Sequence, residues 1–330
     1  MSRASLDHLV RDDAPRLQLV ALLASITATG PLALQIFLPA LPVVQQDLRT
    51  SAAIVQLTLS LSMVAVALAT LVYGPCADRF GRRPVLVVGL VLFVLGSIAC
   101  AVAPTIETLI AARVLQAAGG AAGTVLARTV VRDLFGAERA AAVIAQLTMV
   151  MVVAPMVSPT IGGLLTDVVH WRSVFVFAAV AVAALLFWSL RALPETRPVD
   201  AQADTMGAVM RGFGSLLSSR RYIGYVLHTA SSSVIFFAFI SGAPYVMVET
   251  LGQPATAYGL WFVLLSGGFM TGNFLAIRSS GRVDQLTLML VGSLLALAGI
   301  GLCVGLVLAG RHVEVHIARR FLLDHCCRRL

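Results

Sequence analysis

The chain has 330 residues, of which 58% are hydrophobic and 12% charged, and its mean hydropathy is +0.91. Soluble domains carry about a quarter charged residues, so a water-soluble globular core is excluded. A net charge of +8 and a pI near 9.9 would suggest nucleic acid in a soluble protein, but the placement of these charges assigns them to membrane topology.

Apolar stretches follow one another at 17–38, 52–74, 84–103, 105–127, 140–165, 173–193, 222–247, 256–277 and 285–309. Each is near the ~20 residues that a helix needs to cross ~30 Å of hydrocarbon. A helix satisfies its own backbone hydrogen bonds there, so the expected fold is all-α and polytopic. Arg16 and the small residues Ala24, Ser25 and Ala28 offer a signal peptide as the alternative for the first stretch. The run continues to Leu38 without a polar stop and eight more stretches follow, so it reads as a retained helix. With the N-terminus in the cytoplasm, the loop arginines from Arg3 to Arg282 all fall inside except Arg49 and Arg172. That asymmetry fixes orientation and leaves no need for a nucleic-acid partner. Cys76, Cys100, Cys303, Cys326 and Cys327 have neither metal-ligand spacing nor the pattern of a disulfide framework.

The order of stretches predicts a six-helix bundle over 1–190, a cytoplasmic linker over 191–221, a three-helix partial bundle over 222–310 and an atypical tail over 311–330. Met206, Val209, Met210, Phe213, Leu216 and Leu217 recur at helical spacing in the linker and suggest a helix lying on the membrane surface. Gly74 to Arg82 has a faint echo in Gly272 to Arg282, two stretches into each bundle. Duplicated halves with a site between them build many secondary transporters. On that pattern about nine of twelve helices are present, and the tail reads as the product of a reading-frame shift, with a regulatory tail as the alternative.

The loop after the second stretch packs Gly74, Asp78, Arg79, Gly81, Arg82 and Arg83 into Gly74–Arg83. Gly74 is expected to admit a neighbouring helix and Gly81 to make the tight turn, while Asp78 can accept from arginine or face a helix N-terminus. Arg113 lies inside the fourth stretch, where a central arginine costs ~2.5–3.5 kcal/mol, and is therefore a functional candidate; Gln116 shares its face at i+3. Gly119 and Gly123 form a small-xxx-small pair suited to close packing. In the fifth stretch Pro155 and Pro159 free backbone carbonyls, and Gly162 and Gly163 let another helix approach.

These motifs resemble the major facilitator superfamily. Gly74–Arg83 matches its G-x-x-x-D-R-x-G-R-R loop, the run from Arg113 resembles its fourth-helix R-x-x-Q-x-x-G motif, and Pro155–Gly163 is similar to the fifth-helix motif of its antiporters. Phe37–Pro42 and Arg132–Phe135 resemble the Bcr/CflA drug-resistance subfamily, over about residues 20–310. The resemblance implies a cytoplasmic latch at Asp78, Arg79, Arg82 and Arg83, proton transfer or substrate contact at Arg113 and Gln116, and export by alternating access. Where the subfamily often has an acid this chain has Gln35, which cannot carry a proton. Glu107 and His228 are the remaining titratable candidates, each also readable as a loop anchor or a packed polar group.

The expectation is a proton-driven multidrug exporter of the bacterial inner membrane, with no cofactor. Gln35, Phe37, Arg113, Gln116 and Tyr245 would form the substrate and proton pathway, with drug-like small molecules, protons and the lipid bilayer as partners. Gln35 and Arg113 are expected to share a hydrogen bond. Phe236, Phe237, Phe239 and the methionines could line an adaptable apolar cavity. The alternative is a truncated, non-transporting remnant. An enzyme is not supported, since no H-E-x-x-H, G-x-S-x-G or Walker loop is present.

Overall fold

The computed structural model describes residues 13–197, 216–279 and 286–302, together with 214, 283, 284, 304, 305 and 309. The tail 311–330 and most of the amphipathic linker segment, Met206 to Phe213 included, lie outside the described residues. The described chain is almost wholly helical. Helix α1 (Asp13–Ile36) runs through a single 3-10 turn (Leu38–Ala40) into α2 (Leu41–Asp47), where Pro39 and Pro42 sit in the first turns that tolerate a missing N–H. There follow α3 (Ala52–Phe80), α4 (Arg82–Ala101), α5 (Ile106–Gly136), α6 (Ala140–Val168), α7 (Ser173–Ala192) and α8 (Arg220–Tyr245), which continues through a π turn (Val246–Thr250). Helix α9 (Ala255–Ser279) and the shorter α10 (Leu286–Leu302) complete the described chain.

Seven helices among the described residues, the first formed by α1 and α2 together, are long and apolar enough to cross a membrane. The eighth and ninth apolar stretches correspond to α9 and α10. Local chemistry sets the boundaries. Ser51 caps α3 through a bond from the Ile54 N–H, Thr105 and Thr108 form a reciprocal capping box at the start of α5, and Ser219 caps α8. Gly136, at φ 67°, separates α5 from α6, a conformation that a residue with a Cβ adopts only with strain.

By contacts the described chain divides between Ser266 and Gly267, beyond the 191–221 linker that composition marks as the boundary. The physical reason is that α8 and the first half of α9 bring Ile240, Tyr258 and Phe262 into one apolar cluster with Phe37, Leu41, Trp171 and Phe175 of the first six helices. A second cluster fills the other end of that bundle, around Leu22, Ile26, Leu90, Phe93, Leu126 and Val130. Without lipid-driven attraction between helices, packing and small residues must hold them. A Cβ on Gly119 would run into the Phe93 backbone, and one on Gly123 into the Ile26 carbonyl oxygen, as their spacing suggested. Gly89 and Gly96 supply the complementary gaps on α4. In the unit from Gly267 onward, Asn273 Nδ2 bonds the Phe269 carbonyl at 2.9 Å within its own helix, and Asp284 accepts from the Leu286 N–H at the start of α10.

Candidate functional site

The guanidinium of Arg113 is enclosed within the first bundle. Only 1% of the residue is exposed, as is also true of Gln116 one turn on. Arg113 Nη1 donates to Gln116 Oε1 at 2.6 Å and to the Ala33 carbonyl at 3.2 Å. Gln116 Nε2 then donates to Ser97 Oγ at 2.8 Å, and Ser97 Oγ to the Phe93 carbonyl at 2.7 Å. The chain of bonds ties α1, α4 and α5 together. Gly96 makes room for it, since a Cβ there would strike the Gln116 backbone. The guanidinium lies 4.9 Å from the Phe37 ring centre and 5.8 Å from that of Phe175, so two aromatic faces share its charge. Its Nε and Nη2 are buried without a hydrogen-bond partner.

Gln35 is not part of this network. The expected Gln35–Arg113 bond is replaced by the Arg113–Gln116 bond, because on one helix the i+3 amide reaches the guanidinium directly. Gln35 is 7% exposed, its Oε1 has no hydrogen-bond partner, and it forms part of the wall of a cavity of about 290 Å³. That cavity lies between α1, α3 and α8, with Gln56, Ser60 and Ser241 as its other polar groups and Leu34, Met63 and Phe237 among its apolar ones. Of the expected pathway residues Gln35 alone lines it. Phe37 is wholly buried against Phe175, with ring centres 5.1 Å apart, and Tyr245 is half-buried beside the same apolar cluster with an unpartnered hydroxyl. Glu107 is exposed in the loop-side cavity it shares with Asp47 and Arg49, and His228 is half-buried on α8.

At the opposite end, Gly74–Arg83 forms a charge cluster; it is not the loop expected, since Gly74–Phe80 completes α3, Arg82 begins α4 and Gly81 alone makes the turn. Arg82 pairs with Asp78 one turn back and with Asp133 on α5, its Nε lying 3.2 Å from Asp133 Oδ2. Gly81 turns the chain at φ 101°, as expected, and sits against Glu195. Glu195, which the sequence reading did not single out, takes the helix N-terminus offered there to Asp78. Its two oxygens accept from the Arg82 N–H at 2.9 Å and the Arg83 N–H at 3.2 Å, and thus cap α4. Thr196 Oγ1 also donates to Asp133, Arg197 Nη1 to the Arg79 carbonyl, and Arg83 Nη2 to the Leu190 carbonyl. The Arg79 guanidinium lies 5.3 Å from the Phe80 ring centre. Gly74 departs from expectation: a Cβ there would meet nothing within 4 Å among the described residues, so no described helix needs its small size.

The fifth-stretch motif packs two ways. A Cβ on Gly162 would run into the Ile36 carbonyl, and one on Gly163 would come 2.7 Å from the Ala255 carbonyl oxygen at the start of α9. Gly259 of α9 returns the contact against Pro159 and Thr160, whose Oγ1 donates to the Gly259 carbonyl at 2.9 Å. Pro159 has no N–H for the Pro155 carbonyl, which instead accepts Ser158 Oγ at 3.3 Å. Asp167 closes the seam, accepting from the N–H groups of Ala255 and Thr256 and from the Thr256 hydroxyl.

Comparison with known proteins bears on what such an arrangement does. The model of the Major Facilitator Superfamily matches residues 23–314. The MFS-type transporter YdgK of Bacillus subtilis (strain 168) is 34% identical over 286 residues, 86% of this chain and 71% of that protein. Multidrug resistance protein D of Escherichia coli (strain K12) is 30% identical over 268 residues, 81% of this chain and 67% of that one. Among solved structures, a bacterial homologue of the human lysosomal transporter Spinster, inward-facing and occupied, superposes with a TM-score of 0.64 at 17% identity, covering 83% of this chain and 64% of that one. The chain thus spans about two thirds of the length of each.

Proposed function

Because the chain belongs to the major facilitator superfamily, whose members here are transporters and not enzymes, we propose that it exports drug-like small molecules across the bacterial inner membrane by proton-driven alternating access. Membership of the Bcr/CflA subfamily, a cytoplasmic N-terminus and exchange of substrate for protons are parts of the same proposal. The observation that carries it is the Arg113–Gln116–Ser97 network. A fixed charge has been placed inside an apolar bundle, bonded to a neutral amide and a carbonyl, with two of its three nitrogens left unsatisfied. Such a group is costly and conformationally responsive, because any rearrangement that brings it an acceptor is favoured. The names of relatives such as multidrug resistance protein D support drugs as the cargo.

An amide cannot bind and release a proton, so Gln35 is not the proton carrier in this reading. A proton moving down ~100 mV supplies ~2.3 kcal/mol per charge, the scale of drive available. The test is accumulation of a fluorescent drug in cells expressing this chain, against a vector control and an Arg113→Ala variant, with and without a protonophore. Lower accumulation that the variant and the protonophore both abolish is expected. Accumulation equal to the vector control overturns export, and protonophore-insensitive efflux overturns proton coupling.

A further inference from the structure

A second cavity, of about 480 Å³, lies among α1, α3, α5 and α6 and shares Leu34 in its wall with the Gln35 cavity. Its polar wall consists of Arg128, Arg132, Thr70, Thr124 and Thr129. The two guanidiniums stand four residues apart on α5 and therefore on one face. Among the described residues the ion pairs are Arg82–Asp78, Arg82–Asp133 and Arg172–Asp47, so neither Arg128 nor Arg132 has a carboxylate partner. Asp133, the next residue along, is turned to Arg82 and Thr196 instead. Arg128 Nη2 has a soft contact, 3.8 Å from Met151 Sδ, which supplies no countercharge.

The positive-inside rule explains why arginine is abundant at this end of the helices. It does not explain why these two line a cavity in the bundle. Across Leu34, the polar groups of the Gln35 cavity are amides and hydroxyls, so every formal charge on the described walls of both cavities is positive. An organic cation is repelled from such a path. A carboxylate or phosphate is attracted to it, and two guanidinium forks with nearby hydroxyls match its oxygens. The rise of α5 from Gly120 to Arg132 is about 18 Å, room for a charged head at the arginines and an apolar body reaching toward Leu34.

We propose that Arg128 and Arg132 form the head-group end of the substrate path and that the preferred cargo is an anionic amphiphile bearing a carboxylate or phosphate. This deepens the export reading and rests on it for the word cargo, but the binding site can be tested separately.

The experiment uses the full chain in phosphatidylcholine nanodiscs and three dansyl-labelled alkyl probes of equal length, ending in a carboxylate, a methyl ester or a trimethylammonium. The carboxylate is expected to bind about tenfold tighter than the ester, and the ammonium weaker than both. Arg128→Gln with Arg132→Gln is expected to bring the carboxylate down to the affinity of the ester, with ester binding retained as the sign of an intact cavity. Arg191→Gln, at the end of α7, is expected to change nothing. Equal affinities for the three probes, or a carboxylate preference that survives the double substitution, would overturn the proposal. Discs containing phosphatidylglycerol distinguish the sources of the anion: competition with the carboxylate probe assigns the site to a lipid phosphate, and undiminished probe binding assigns it to a free organic anion. Loss of drug efflux in cells with the carboxylate preference intact would remove the export reading and leave the anion site standing.

Discussion

Arg82 and Arg113 are both buried arginines on helices of the first bundle, and they are satisfied in opposite ways. Arg82 stands between two carboxylates, while Glu195 caps the helix it begins, so charge is met by charge at an end the sequence reading assigns to the cytoplasmic face. Arg113 has no carboxylate partner among the described residues. It holds an amide, a carbonyl and two aromatic faces, and keeps two nitrogens unpaired. The first arrangement is close to an electrostatic minimum and suits a clasp. The second is a poised charge, of use only if the surroundings change during a cycle.

The largest effect should come from Arg113. Its replacement by alanine is expected to lower efflux by at least ~100-fold while leaving membrane insertion intact, because a charge that costs ~2.5–3.5 kcal/mol to insert is removed and not added. Arg113→Lys sharpens the contrast with Arg82. A compact ammonium cannot stack flat between Phe37 and Phe175, so it is expected to recover little of the efflux. Full efflux with Arg113→Ala would show that the poised charge is only structural.

Next in size is Gln116→Leu, which leaves Arg113 with the Ala33 carbonyl alone and deprives Ser97 Oγ of its donor. A loss of about 2–3 kcal/mol in stability is expected, the cost of an unsatisfied buried charged group, read as earlier thermal unfolding in detergent. At the other arginine, Glu195→Gln is expected to cost only about 1 kcal/mol, since the amide oxygen still accepts one of the two helix N–H groups while the charge and the second acceptor are lost at an end open to water. Equal losses from the two substitutions would erase the distinction between poised charge and clasp.

The difference between the two arginines also shows what a sequence can reveal. The spans were legible because hydropathy over about 20 residues needs no partner, and Arg113 was legible because a charge in such a span is costly wherever its partners lie. Gln116 followed from helical spacing. Glu195 was not legible, because it meets Arg82 across 113 positions and no local pattern connects them. Ser97 was hidden for the same reason, and the Gln35–Arg113 bond fails because the amide at i+3 on the same helix reaches the guanidinium directly.

The smallest effect is expected inside the loop motif itself, where two glycines of similar standing in the sequence part company. Gly81 has φ 101° and a Cβ there would come 2.6 Å from Glu195 Oε2, so Gly81→Ala both strains the backbone and displaces the cap of α4. Gly74 lies within the helical span of α3 with open space where a Cβ would go. Alanine is the better helix former by about 1 kcal/mol, so Gly74→Ala is expected to leave thermal stability unchanged or slightly raised, within about 1 kcal/mol. Destabilisation as large as that of Gly81→Ala would mean that another helix does lie against Gly74 in the folded protein, and that the clasp around Arg82 extends beyond the charged groups that form it here.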